Sequence, residues 1–388
     1  MTPAARIATA AELLDEVLEG AAAEKVLTSW ARRSRFAGSK DRAAVRDHVF
    51  DALRCLRSFA ALGGAMTGRG LMIGMARSTE TDPETIFTGE GHGAAALSDA
   101  ERAAGQPPVS DAEAGDMPEW LWPHLTRALA DEAAAVAEVL RHRAPVYIRV
   151  NTSLISADAL ARELAAEGIL TTPGPLVATA LEVTEGARRL ASTIAFGEGR
   201  FEMQDAASQA ICAAIPVQDG HSVLDYCAGG GGKTLALGAR ATLHLTAHDV
   251  APERMRDLPV RARRAGIDVH LAERGELAGL APFDVVLCDV PCSGSGAWRR
   301  APEGKWRLTE DRLEQLLGIQ AQILDEAASL VAAGGLLAYA TCSLFEAENG
   351  DQIAAFLARN PGWQVETTRR LTPLDGGDGF FLACLRRI

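Results

Sequence analysis

Residues 222–234 read Ser-Val-Leu-Asp-Tyr-Cys-Ala-Gly-Gly-Gly-Gly-Lys-Thr, an apolar run that stops at an acid and enters four successive glycines before a helix-forming stretch. Val223, Leu224 and Tyr226 predict a buried parallel strand. Gly229, Gly230, Gly231 and Gly232 permit positive φ angles and close approach of a ligand to the backbone. From Lys233 the chain predicts a helix whose first N–H groups lack internal partners and face back on the loop. A glycine turn between strand and helix is weak on its own, since it is often only a turn. With Asp225, Cys227, Ala228 and Lys233 around it, the loop is a candidate site for a nucleotide-type cofactor.

The chain beyond the loop strengthens that reading. Apolar stretches at Leu243 to His248, Val269 to Ala272, Phe283 to Cys288 and Leu336 to Ala340 alternate with helical periodicity at Glu253 to Ala265 and Thr309 to Ala332. Such alternation predicts an α/β fold with a doubly wound, Rossmann-like parallel sheet, whose ligands sit at the carboxyl ends of the strands. Asp225, Asp249 and Asp289 each close a strand, and Cys342 follows the last. Asp249 stands 24 positions after Asp225, near the ~20-residue spacing at which an acid reaches the ribose hydroxyls of a bound nucleoside. Glu273 is placed to meet the adenine or ribose, and equally to lie in a surface turn.

Upstream, apolar residues from Ile7 to Leu56 recur at helical spacing, and residues 1–117 read as a helical domain with a linker rich in Gly, Ala, Ser, Asp and Pro over 89–117. Arg32, Arg33, Arg35, Lys40, Arg42, Arg46, Arg54 and Arg57 form a basic run that suits a solvated face as well as an RNA contact. Residues 118–200 read as a helical stretch followed by a small α/β unit, and 201–388 as the domain of the glycine loop. The formal net charge of −12 excludes a globally electrostatic nucleic-acid binder, so any such partner must meet a local basic patch. Seven cysteines without C-x-x-C spacing argue against a disulfide framework and against a structural metal site, and no metal is expected. Cys55, Cys212, Cys288 and Cys384 lie within apolar patterns and read as core fillers. With no signal-like leader and no apolar stretch long enough to span a bilayer, the chain is expected to be cytoplasmic and free of membrane partners. Nothing in it demands an oligomer, and a monomer is expected.

The pair Asp289-Val-Pro-Cys-Ser-Gly-Ser-Gly296 and Tyr339-Ala-Thr-Cys-Ser343 carries the chemistry. Here the sequence resembles the RsmB/Sun/Nop family of RNA cytosine-5 methyltransferases, which use S-adenosylmethionine. The likeness runs through Gln204-Asp205, Ser208-Gln209, the glycine loop, Asp289-x-Pro-Cys-Ser-Gly, Arg299-Arg300-x-Pro302-x-x-Lys305-Trp306, Thr341-Cys-Ser and Glu348-Asn349, covering about 145–388. The helical N-terminal part looks like the NusB-type RNA-binding domain of RsmB members. One departure stands out: Gly229-Gly230 replaces the usual Ala-Pro, so the loop loses the stiffness of proline. The resemblance implies S-adenosylmethionine as cofactor and RNA as partner, most of all 16S ribosomal RNA. Transfer RNA or DNA cytosine-5 methylation, or a non-catalytic role in ribosome assembly, are the alternatives.

C5 of cytosine is a poor nucleophile, so an enzyme methylating it must first add a thiolate to C6. A thiol of ordinary pKa near 8.5 is mostly protonated at neutral pH and needs help to ionise. A protonated carboxyl at N3 would assist the addition, and Asp289 is positioned for it at its strand end. The resemblance assigns Cys342 as nucleophile and Cys292 as the residue that assists release. DNA cytosine-5 methyltransferases attack with the cysteine of their Pro-Cys motif, so sequence order alone leaves the two roles open. Trp298-Arg-Arg and Lys305-Trp-Arg307 interleave cations with aromatics, which makes Arg299, Arg300 and Lys305 candidates for RNA phosphates, with the tryptophans either stacking platforms or core.

Overall fold

The helical spacing of the first 80 residues closes into helices Pro3–Leu18, Ala23–Arg33, Ser39–Arg54, Leu56–Gly63 and Gly68–Ser78 in a computed structural model that describes all 388 residues. Their apolar stripes share one core that includes Leu14, Leu27, Trp30, Val49, Phe59 and Met72. Helices 56–63 and 68–78 touch backbone to backbone: a Cβ at Gly74 would collide with the Phe59 carbonyl. The linker expected over 89–117 carries two short helices, Asp99–Ala103 and Asp111–Ala114. Helices Trp122–Leu129 and Ala133–Leu140 come next. The compact unit built from these elements comprises Met1–Arg143 and also Trp298–Arg307, so packing carries past the boundary expected at 117. Asp116 is one reason: its fully buried carboxylate accepts hydrogen bonds from the Ser58 amide and hydroxyl and an ion pair from Arg141.

The second unit, Ala144–Ala297 with Leu308–Ile388, holds every strand. These are β1 (Tyr147–Val150), β2 (Leu170–Pro173), β3 (Ala180–Glu185), β4 (Phe201–Met203), β5 (Ser222–Asp225), β6 (His244–Ala247), β7 (Val269–Leu271), β8 (Phe283–Asp289), β9 (Val331–Thr341), β10 (Trp363–Leu371) and β11 (Phe380–Arg387). The first four form a small antiparallel sheet in the order β2-β3-β1-β4, backed by helix Ala157–Ala166. The other seven form a sheet in the order β10-β11-β9-β8-β5-β6-β7, parallel from β9 to β7 with an antiparallel β10-β11 edge.

Period-two alternation sorts the large sheet into two layers. Leu224, Val286, Cys288, Leu337 and Tyr339 point to one face, where Leu324, Ala327 and Phe356 of helices Glu310–Ser329 and Gly350–Arg359 cover them. Val223, Val285, Leu287, Ala338 and Ala340 point to the other, under Ile211 and Leu237 of helices Ala206–Ala214 and Gly232–Gly238. A sheet with helices on both faces is the doubly wound architecture anticipated from the alternation. Two element boundaries differ. Helical periodicity over 253–265 is split into a 3₁₀ turn, Pro252–Met255, and helix Leu258–Ala265, because Pro259 has no N–H to donate and fits only a first helical turn. The helix expected to reach Ala332 ends at Ser329, and β9 begins at Val331.

Candidate active site

Because β9, β8, β5, β6 and β7 are all parallel, their carboxyl ends lie along one edge of the sheet. In sheet order that edge carries Cys342, one residue beyond β9; Asp289 and Cys292, closing and following β8; Asp225, closing β5; and Asp249 and Glu273, each two residues beyond β6 and β7. Successive strands run outward from β5 through β6 to β7, and the chain then returns to place β8 on the opposite side of β5. The crevice at such a reversal is where open α/β sheets bind ligands.

The glycine loop fills that crevice. Gly229 and Gly231 have φ of +51° and +78°, a region that residues with a Cβ rarely enter; a Cβ on Gly231 would also strike Leu258. Gly229 N–H donates to Asp249 Oδ2 at 2.8 Å, and Gly231 N–H to the Ala228 carbonyl at 2.8 Å. Asp249 also accepts from Ala251 N–H at 3.0 Å and pairs with Arg254 at 3.1 Å. Asp225 is almost fully buried: one oxygen accepts from the Thr234 hydroxyl at 2.6 Å, while Oδ1 has no protein partner. Burial, only partly offset by the Thr234 bond, raises its pKa from 3.8 to about 7. An orphaned buried carboxylate oxygen beside a glycine loop fits a cationic or donor group of a ligand. Cys227 borders the loop half-buried, and burial pushes its thiol pKa up.

Lys233, expected only to border the cofactor, donates through Nζ to Asp289 Oδ2 at 2.8 Å and lies 4.9 Å from the ring centroid of Phe380. Burial alone would lower the Lys233 pKa, but the Asp289 carboxylate together with the nearby Cys212 and Cys342 outweighs it and the net shift is upward. Lys233 and Asp289 thus face each other as an ion pair at the strand end.

Cys292 and Cys342 are 50 residues apart in sequence, and their sulfurs lie 3.4 Å apart. The hydrogen bond to the Cys342 sulfur, with burial second, holds the Cys292 pKa well above the ordinary thiol value. The two loops that carry them are tied together by Glu348, which is fully buried: its Oε1 accepts from Ser293 N–H at 2.8 Å and Gln320 at 3.0 Å, and its Oε2 accepts from the Ser293 and Ser343 hydroxyls. Asn349 accepts from Thr341 Oγ1 at 2.6 Å and donates to the Ser343 carbonyl at 2.9 Å. Glu348 and Asn349 are visible in the sequence only through the resemblance, and their organising role is not visible there at all.

The remaining candidates divide. Glu273 is exposed at its strand end. Arg300 is exposed, but Arg299 and Lys305 are buried within the helical unit. Lys305 Nζ donates to the Arg54 carbonyl at 2.9 Å, Trp306 Nε1 to the Leu53 carbonyl at 2.7 Å, and Arg54 Nε to the Arg299 carbonyl at 2.8 Å. Trp298 is core. The cation–aromatic stretch is therefore mainly a packing segment, with Arg300 its one member of the three candidates on the surface. Cys55, Cys212, Cys288 and Cys384 are buried, as their apolar settings suggest. No group of acids, histidines or cysteines has the arrangement of a metal site, and no helix is long and apolar enough to cross a membrane.

Comparison with known proteins bears on this geometry. The family model described as 16S rRNA methyltransferase RsmB/F matches residues 212–386, and an RsmF/B-like ferredoxin-like domain model matches 117–188. Ribosomal RNA small subunit methyltransferase B of Xylella fastidiosa is 33% identical over 296 residues, covering 72% of this chain and 68% of the relative. Its counterpart from Klebsiella pneumoniae is 32% identical over 285 residues, covering 69% of this chain, and the match spans 65% of that relative's length. Among solved structures, PH0851 aligns over 100% of this chain and 99% of its own at 23% identity, with a TM-score of 0.76. NSun6 from Pyrococcus horikoshii with SFG aligns over 70% of this chain and 98% of its own at 19% identity, TM-score 0.61. At these identities the structural likeness is one of fold.

Proposed function

The chain belongs to the 16S rRNA methyltransferase RsmB/F family, and from that premise we propose that it methylates C5 of a cytidine in RNA with S-adenosylmethionine, small-subunit ribosomal RNA being the substrate. The observation that carries the reading is the pair of thiols 3.4 Å apart at the ends of adjacent parallel strands, next to the Lys233–Asp289 ion pair. When bound, S-adenosylmethionine supplies an electrophilic methyl group. Asp225, residues 227–233, Asp249, Glu273 and Asp289 are the residues that would hold it.

Cys342 adds as a thiolate to C6 of the cytosine, forming an S–C6 bond while Lys233 and Asp289 hold a proton at the N3 edge. The electron pair this places at C5 would form the new carbon–methyl bond as the methyl–sulfur bond of the donor breaks, its electron pair leaving with S-adenosylhomocysteine. The hydrogen bond to the Cys342 sulfur and burial raise the Cys292 pKa, which is compatible with Cys292 keeping its proton while Cys342 attacks. Once that sulfur is a neutral thioether, the opposition to Cys292 ionising is removed. Cys292, its own proton given up to solvent water, then takes the C5 proton, the S–C6 bond breaks, and the Cys342 thiolate leaves. The family resemblance carries the assignment of Cys342 as nucleophile and Cys292 as release residue, and the adjacency of the two sulfurs supports it.

The test is a denaturing gel after incubation with total RNA and S-adenosylmethionine. Cys292→Ala accumulates a slow-migrating protein–RNA adduct and Cys342→Ala forms none. The reverse pattern would make Cys292 the nucleophile. Labelled methyl incorporated into DNA in preference to RNA would overturn the substrate class.

A further inference from the structure

Four consecutive glycines give a loop with unusually large conformational freedom to lose, so something must hold it in the shape a ligand requires. Here the holding groups are arginines outside the loop. Arg149, on β1, donates through Nη1 to the Gly232 carbonyl at 2.8 Å, and Gln204 Nε2 reaches the same oxygen at 3.1 Å. Arg261, on helix Leu258–Ala265, donates through Nη1 to the Gly230 carbonyl. The antiparallel pairing of β1 with β4 sets Arg149 directly opposite Glu202, and the buried Glu202 carboxylate in turn pairs with Arg261 at 2.9 Å and with Arg264. Arg149 is buried, its Nε has no partner, and burial lowers its pKa to about 10. A buried guanidinium with an unmet donor is unfavourable for folding alone. That is what a group retained for positioning looks like.

We propose that Arg149 and Arg261 are positioning residues which clamp the Gly230 and Gly232 carbonyls, making the small antiparallel sheet a brace that shapes the methyl-donor loop in place of stiffness in the loop itself. Neither residue touches the reacting atoms. The brace acts on cofactor affinity and leaves the thiol chemistry alone. Arg261 is the tether whose neighbour can be changed without opening the core, because its side chain is partly exposed; Arg149 is the interior one.

The proposal rests on the glycine loop being the S-adenosylmethionine site, and the experiment separates the two. Calorimetric titration of the wild-type chain with S-adenosylhomocysteine tests the site, and wild type that does not bind overturns that reading. For the brace, Arg261→Met and Arg261→Lys are compared in the ligand-free state by amide hydrogen exchange over residues 228–233, and by titration. Arg261→Met is expected to speed loop exchange and weaken binding by about tenfold each, beyond the global stability lost when buried Glu202 keeps Arg264 as its remaining partner. Arg261→Lys, which can still reach one carbonyl, recovers part of both. In turnover the Met variant raises KM for S-adenosylmethionine and leaves kcat within about twofold. Arg149→Met is expected to repeat the pattern, and Gln204→Ala supplies the same readout at Gly232 where that variant does not fold. Loop exchange and affinity unchanged in Arg261→Met, or lost in strict proportion to global stability, would overturn the brace while leaving the cofactor site standing.

Discussion

Replacing Asp225 by Asn should stabilise this protein at alkaline pH while disabling it. In the folded chain the Asp225 carboxyl is buried with one oxygen unpartnered, and its pKa rises from 3.8 to about 7. Between those two values the folded state keeps a proton that the unfolded state has released, so stability falls as pH rises through the interval. At ~1.4 kcal/mol for each tenfold change in proton activity, the loss reaches about 4 kcal/mol by pH 7 and stays constant above it. Asparagine keeps an oxygen for the Thr234 hydroxyl and carries no charge to desolvate. Thermal unfolding of the two proteins at pH 4, 6 and 8.5 should therefore show equal midpoints at pH 4 and a gap that widens to roughly 10 °C at pH 8.5, at ~2–4 °C per kcal/mol for a domain of this size. Binding is expected to move the opposite way: on the proposed reading of the site, a cationic group of S-adenosylmethionine would meet a carboxylate in the parent and a neutral amide in the variant, and affinity should fall by about tenfold or more. The reasoning is refuted if Asp225→Asn is no more stable than the parent at pH 8.5, or if the parent shows no loss of stability between pH 4 and 7 that the variant lacks.

Lys233→Met removes the proton held beside Asp289 and should lower kcat about 100-fold, a loss beyond any weakening of S-adenosylmethionine binding, read by single-turnover methylation at saturating cofactor and by titration. Glu348→Gln leaves the Ser293 and Ser343 hydroxyls and the Ser293 amide around a neutral group in place of the charge they now share; about 3 kcal/mol of stability is expected to go, measured by urea unfolding. Burial lowers the Lys305 pKa from 10.5 to about 8, so the unfolded chain binds a proton between those values that the folded chain does not, and stability contributed by this group rises by about 3 kcal/mol from pH 8 to 10.5. Lys305→Met should abolish that rise in denaturation curves, with RNA affinity unchanged. Mild peroxide should link Cys292 to Cys342, the two thiols giving up their hydrogens to form a disulfide as peroxide is reduced to water; intact mass reports it, and activity should return with thiol reductant. Cys292→Ala treated the same way must show no such linkage.

The range of the forces involved explains both the legible and the illegible parts of this sequence. The parallel sheet was legible because Val223, Val285, Leu287 and their neighbours bury both faces of short strands, and that burial writes unbroken apolar runs into the chain. Strand-end acids were legible because a doubly wound sheet fixes where its strands stop, and Asp225, Asp249 and Asp289 sit at those stops. Pro259 could have marked the break in the 253–265 helix, since a proline at that position belongs to a first turn. Glu348 offered no local sign: it is an acid between Ala347 and Asn349, and its importance arises only when folding brings Ser293 and Ser343 to it from different loops. Lys305 failed in the opposite sense. Cations alternating with tryptophans have the same composition on a nucleic-acid surface and in a segment whose lysine and indole cap main-chain carbonyls, here those of Arg54 and Leu53. A pattern of residue types specifies chemistry where the backbone supplies direction, as at the end of a strand. Within a loop or a short helix the same types leave direction open, and the fold decides whether a cation faces a phosphate or its own core.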